Sequence, residues 1–135
     1  MRRRLHPTEH DNQVAVFDYA ARALGQYPDL ALLHAIPLGG SRSYRFKKNG
    51  KRYSPEGQRL AREGVAAGVP DVHLPVGRGS SHSLYIEMKL PGKEPTELQW
   101  AWIEALRKAG NAVFVCHSAE EAIERLQSYL NTSKG

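Results

Sequence analysis

Apolar residues along this chain follow two rhythms, and each change of rhythm marks a new element. Val14, Phe17, Ala21 and Leu24 recur at helical spacing behind Thr8, whose hydroxyl can cap a first turn, and Gly25 closes the run. After a Tyr27-Pro28-Asp29 turn, Leu30 to Ile36 (LALLHAI) predicts a short buried strand that ends before Pro37. Ser54-Pro55-Glu56 opens a second helix, with serine as cap and proline at the first position; Gly64 and Gly68 break it. Strands are predicted over about 71–76 and 83–90, either side of the loop GRGSSH. Thr96 and Gln99 form a capping-box pattern for a helix running to Ala109 and closed by Gly110. Its predicted apolar stripe is Leu98, Trp102, Ala105, Leu106 and Ala109, with Trp100 on the opposite, polar face beside Glu104 and Arg107, where it suggests an interface. Ala112 to Cys116 (AVFVC) reads as a strand covered on both faces, and Ser118 with Glu121 caps a last helix carrying Ala122, Leu126, Tyr129 and Leu130. The order is α-β-(basic insert)-α-β-β-α-β-α. It predicts one α/β domain over 1–135, a central mixed sheet flanked by helices, with no internal repeat and no dividing linker.

Charge inside this pattern raises the question of chemistry. In GVPDVHLPVGRGSSHSLYIEMKL, an aspartate stands at the mouth of one strand and a glutamate and a lysine stand inside the next. Strand alternation puts Tyr85, Glu87 and Lys89 on one face and Leu84, Ile86, Met88 and Leu90 on the other. Glu87 and Lys89 are then roughly 7 Å apart along the strand. Pairing of the two strands as a hairpin brings Asp71 to the same end. Two carboxylates at one place repel unless a cation lies between them, and oxygen ligands with open water positions suit Mg²⁺ or Mn²⁺. A cation so held can polarise a phosphoryl oxygen, and a neighbouring lysine can orient water or offset charge in the transition state. The competing reading is a surface hairpin in which Lys89 pairs with Glu87 or Glu94.

Composition narrows the classes. The 135 residues are 41% apolar, enough for a core without staples. One cysteine, Cys116, excludes an internal disulfide framework, fits a reducing compartment and is expected in the core. No apolar run approaches the roughly 20 residues of a membrane span, and MRRRLHPTEH has no apolar stretch of a secretory signal behind its charges. A net charge of +5 favours a polyanionic partner. The insert over about 41–53 concentrates that charge in Arg42, Arg45, Lys47, Lys48, Lys51 and Arg52, interleaved with Tyr44 and Phe46 around an Asn49-Gly50 turn. This mixture suits phosphate contacts and stacking; a solvated loop is the alternative. The six histidines show no metal-ligand spacing, and His73, on the face of Asp71, reads as an ordinary half-exposed residue, with contact to substrate the alternative.

Pro70-Asp71 followed by Glu87-Met88-Lys89 resembles the PD-(D/E)xK nuclease signature. With GVPDVHLPV and LYIEMKLPGKEPTELQWAWIEALRKAGNAVFVCHSAEEAI around it, the chain resembles the VRR-NUC (virus-type replication-repair nuclease) branch, in particular its compact phage and bacterial members. The resemblance runs from the helix carrying Glu9 to the last helix. It implies a restriction-endonuclease-like core and a Mg²⁺-dependent DNA endonuclease, with Mn²⁺ able to substitute. Asp71 and Glu87 would ligate the metal with the Met88 carbonyl, and Lys89 would be the catalytic lysine. Glu9 would complete the site directly or through water, and Gln99 would face the metal centre, although the sequence equally makes Gln99 the capping partner of Thr96. Pro37-Leu38-Gly39-Gly40 departs from the Asn-Gly turn expected of relatives. One centre per chain suggests a homodimer for branched DNA such as a Holliday junction, in the cytoplasm of a bacterial or phage-infected cell and in a DNA-repair setting. The alternatives are a monomeric nicking or flap nuclease, a non-catalytic DNA-binding module on the same fold, and a small interaction protein with a coincidental motif.

Overall fold

The computed structural model describes residues 6–37, 45–46 and 52–135, with the backbone alone at 45–46 and 52–53. Helix α1 spans Glu9–Arg22 and begins with a full capping box: the Thr8 hydroxyl accepts from Asp11 N at 3.0 Å, and the Asp11 carboxylate accepts from Thr8 N at 2.9 Å. Its buried face is Asn12, Val16 and Ala20, not the expected stripe, and Val14 is left 45% exposed. The cause is tertiary. Buried Asn12 accepts from Ala119 N at the start of the last helix, which turns α1 so that the smaller residues face the core.

The expected strand over Leu30–Ile36 is mostly a 3₁₀ turn, Pro28–Leu32, followed by a two-residue strand β1, His34–Ala35. Pro28 presets the first turn, and Leu30 and Leu33, three apart, are both buried while Leu32 is exposed. Within the basic insert, β2 (Arg45–Phe46) and β3 (Arg52–Tyr53) form an antiparallel ladder where an irregular segment was expected. Residues 38–44 and 47–51, which include Arg42, Lys47, Lys48 and Lys51, and the side chains of Arg45 and Arg52 lie outside the described residues. Helix α2, Pro55–Arg62, starts as predicted, its Ser54 hydroxyl accepting from Gly57 N.

Strands β4 (Val72–Leu74) and β5 (Leu84–Met88) are shorter than expected but pair antiparallel as predicted, and β6 (Ala112–Cys116) runs parallel to β5. The four-stranded sheet has the order β1-β4-β5-β6. Helix α3 (Glu97–Lys108) makes the crossover from β5 to β6, and α4 (Ala119–Leu130) follows β6. Val72, Leu74, Leu84, Ile86, Met88 and Cys116 of the sheet meet Val16 and Ala20 of α1 and Ala122, Leu126 and Tyr129 of α4 in one core. Cys116 lies in that core as expected.

Helix α3 lies against β6, where Ile103 is fully buried. Its predicted stripe is therefore rotated: Leu98 is 53% exposed, Ala105 and Ala109 are exposed, and Trp100 is half-buried on the flank of Ile103 instead of standing on a polar face. The Arg107 guanidinium donates to the Val113 carbonyl on the outer edge of β6. The approach of α3 to the chain before β4 depends on Gly68, at φ +94°: a Cβ there would lie 2.8 Å from Leu98 Cγ and 2.9 Å from Trp102 Cδ1. That contact fixes where Pro70-Asp71 enters the sheet. Among the described residues, no helix is long and apolar enough to cross a membrane.

Candidate active site

The β4/β5 register, Val72 opposite Ile86, continues by one step to set Asp71 opposite Glu87. The Asp71 carboxylate accepts from Met88 N at 2.8 Å, which fixes it across the strand end. Lys89 follows where β5 leaves the sheet, its backbone N–H still donating to the Cys116 carbonyl, and its Nζ lies 4.0 Å from Glu87 Oε1. These groups open into a cleft of about 290 Å³ lined by Asp71, Glu87, Met88, Lys89, Glu9 and Gln99, together with His10 and Gln13 of α1. Three elements build it: the first turn of α1, the ends of β4 and β5, and the first turn of α3. The residues singled out as a candidate centre in the sequence, the basic insert apart, thus line one cleft.

Burial makes the pair of acids chemically unusual. Glu87 is 1% exposed, and its Oε2 meets no donor among the described residues; once one of the two acids is protonated, Glu87 and Asp71 share a side-chain hydrogen bond. Burial first, then the adjacent Asp71 carboxylate, pushes the Glu87 carboxyl up to about 8, against the smaller opposing pull of Lys89. Asp71 is also raised, chiefly by burial, although the Met88 N–H, a side-chain hydrogen bond with Glu87 and then Lys89 partly counter it. Without a counter-charge the two carboxyls cannot both ionise comfortably, so the pair holds on to a proton. An orphaned buried oxygen, a second carboxylate and the Met88 main-chain carbonyl form an all-oxygen donor set, which fits a hard divalent cation. Glu9 lines the cleft without joining the two acids in a cluster: among the described residues, no group of three or more His, Cys, Asp or Glu is arranged to hold a metal. It is close enough to help raise Glu87, and this position suits contact through water.

Gln99 caps α3 and also borders the cleft. Its Oε1 accepts from Thr96 N at 2.9 Å, completing the α3 capping box, and the residue also lines the cleft. Capping uses the amide oxygen, so the donor group Nε2 is not engaged in the cap. His73 is half-buried, stacked on Tyr85 with ring centroids 4.2 Å apart and edge-on to His34, and its Nε2 is 3.1 Å from the Ser83 hydroxyl. Burial and the neighbouring His34 hold its pKa below the ordinary histidine value. The sequence reading missed His10 and Gln13. The available signal was helical spacing, since Gln13 follows Glu9 by four residues and shares its face.

Three comparisons bear on this site. A family model described as the VRR-NUC domain matches residues 47–120. A solved structure described as a VRR-NUC domain protein superposes with a TM-score of 0.75 at 27% sequence identity, covering 96% of this chain and 93% of that one. No curated protein gives a significant match.

Proposed function

The chain belongs to the VRR-NUC family and is a nuclease domain, and from that premise we propose that it is a Mg²⁺-dependent DNA endonuclease whose centre is Asp71, Glu87 and Lys89. The observation that carries the proposal is Glu87: a carboxyl 1% exposed, with an orphaned oxygen, set against a second acid at the floor of an open cleft. A proton shared with Asp71 holds the pair together in the metal-free protein, but two buried acids at the floor of a cleft cost stability that a purely structural site would avoid.

Asp71 and Glu87 would hold the ion with the Met88 carbonyl, and Glu9 would steady the water around it. Bound there, Mg²⁺ supplies Lewis-acid polarisation of the phosphodiester and eases deprotonation of water. Glu87 must give up its proton for the ion to bind, so occupancy rises with pH. The Lys89 ammonium, held beside Glu87, offsets the charge that builds on the phosphoryl oxygens and orients the attacking water. Gln99 Nε2 donates to a phosphate oxygen and sets its angle in the cleft. Arg42, Arg45, Lys47, Lys48, Lys51 and Arg52 of the insert would track the backbone of the DNA, a contact that weakens steeply with salt.

One centre per chain makes a homodimer the natural arrangement for paired cuts in branched DNA such as a Holliday junction; a monomer nicking one strand or removing a flap is the alternative. Cleavage of a four-way junction, a flapped duplex and a nicked duplex in Mg²⁺ or Mn²⁺, alongside size-exclusion mass measurement, separates these. A monomer that makes no paired symmetric nicks excludes the resolvase. Equal turnover by the native chain and by Asp71→Ala and Lys89→Ala overturns the catalytic assignment altogether.

A further inference from the structure

We propose that a groove on the flank of α1, beside the acid cleft, seats one unpaired nucleobase next to the scissile phosphate. This rests on the nuclease reading and specifies its substrate: DNA with an unpaired nucleotide adjoining the cut. The groove has a volume of about 290 Å³ and is lined by His10, Gln13, Val14, Phe17, Asp18 and Ala35. It shares His10 and Gln13 with the acid cleft, so the two hollows adjoin across these side chains.

The shared residues belong to a longer pattern. His10, Gln13, Val14 and Phe17 fall at i, i+3, i+4 and i+7 of α1, a single stripe covering about 10 Å of helix. This stripe lies beside the buried face of Asn12, Val16 and Ala20, and it leaves Val14 45% exposed. Val14 and Phe17, two of the four apolar positions that the sequence pattern assigned to the core, therefore line a hollow beside the acid cleft.

The chemistry of the groove matches a base better than a backbone. Phe17, Val14 and Ala35 offer an aromatic ring and aliphatic walls to the flat faces of a base. Gln13 and His10 sit where its polar edge would emerge toward the cleft. The Asp18 carboxylate repels a phosphodiester, so the backbone is directed to the acid cleft, where Lys89 and a bound cation take its charge, while Asp18 itself accepts from ring or exocyclic N–H groups. A base inside an intact duplex is stacked on both faces and cannot enter. Only a nucleotide already unpaired, or one turned out of the stack, reaches the groove.

The test uses the full chain with Ca²⁺ in place of Mg²⁺ and DNA carrying 2-aminopurine, either as the unpaired nucleotide at a duplex junction or paired within the duplex. Two variants probe the groove. Ala35→Leu fills it from an exposed strand position, and Phe17→Leu removes the ring while keeping apolar volume against the core. The native chain should quench the unpaired 2-aminopurine and not the paired one. Each variant should bind the unpaired substrate about tenfold more weakly, the loss expected from one base stack, with fully paired duplex binding unchanged within about twofold. Equal quenching of paired and unpaired probe overturns the proposal, as does no binding of the unpaired substrate or native-like binding by both variants. Cleavage in Mg²⁺ is scored on the same preparations. A chain that quenches without cutting loses the hydrolytic reading and keeps the base seat; one that cuts without quenching loses the seat alone.

Discussion

Two ion pairs, each with at least one largely buried member, stand in different parts of this molecule and are built in opposite ways. Arg78, with its side chain 9% exposed, donates to the Asp29 carboxylate at 2.7 Å and to the Gly77 carbonyl at 2.8 Å. In the acid cleft, Lys89 stands 4.0 Å from Glu87, Glu87 keeps an orphaned oxygen, and a second acid presses on it. The first pair ties the loop after β4 to the 3₁₀ turn and satisfies its buried guanidinium as it does so. The second is left unsatisfied although the same chain can build a closed pair. An unpaid electrostatic debt at the floor of a cleft is a place for a cation and substrate, whereas a closed ion pair belongs to the scaffold.

That contrast can be broken by mutation, and the largest expected effect is on activity. Asp71→Ala and Lys89→Ala should each lower cleavage by about 10²- to 10⁴-fold, while Asp29→Asn leaves cleavage within about threefold of the native chain because it alters packing remote from the chemistry. A gel assay with single-turnover time courses reads both; a comparable loss in Asp29→Asn would erase the distinction.

Next in size is a difference of sign in stability. Glu87 is held up to about 8 in the fold against 4.5 in the unfolded chain. Between those values the unfolded chain binds fewer protons, so metal-free stability is fully present below about 4.5 and falls as pH rises through about 8. Asp71 is shifted in the same direction and adds to the slope. Glu87→Gln removes the larger titration and should stabilise the metal-free protein at pH 8 by about 1–3 kcal/mol, with a flatter profile of denaturation midpoint against pH. A steeper profile in the variant would contradict the burial account.

A smaller gain comes from the ion itself. Mg²⁺ at ten times its dissociation constant should stabilise the native chain by about 1.4 kcal/mol and Asp71→Ala by nothing measurable. Thermal scans with and without the ion decide this, and equal shifts in both proteins would move the ion elsewhere. Smallest is the scaffold pair. Asp29→Asn should cost about 1 kcal/mol, a figure reduced because Asp29 is partly exposed while Arg78 keeps the Gly77 carbonyl. Urea midpoints read this loss, and a variant more stable than the native chain would show that the two pairs are alike after all.

Much of the fold could be read in the chain because its signals are local. Thr8, Ser54, Thr96 and Ser118 each cap the helix they announce, and Gly64 and Gly110 take positive φ angles just past the ends of α2 and α3. Strand alternation placed Glu87 and Lys89 on one face, and the hairpin brought Asp71 to them. The errors share one origin. In α1 and α3 more than one stripe could face inward, and the choice fell to distant partners: Asn12 bonding Ala119 in one, β6 receiving Ile103 in the other. Leu30 to Ile36 looked like a strand because buried leucines three apart in a 3₁₀ turn and buried residues in a short apolar strand read alike over so few positions.

The sequence alone determined which elements form, where most of them start, and which acids and lysine share a strand end, because caps, turns and alternation are decided within a few residues. Tertiary structure decided which faces are buried, that Glu87 lies almost wholly buried against Asp71 at the floor of a cleft, and that an apolar flank of α1 opens beside the acids. These depend on contacts between positions far apart in the chain, whose distance and burial no local pattern encodes.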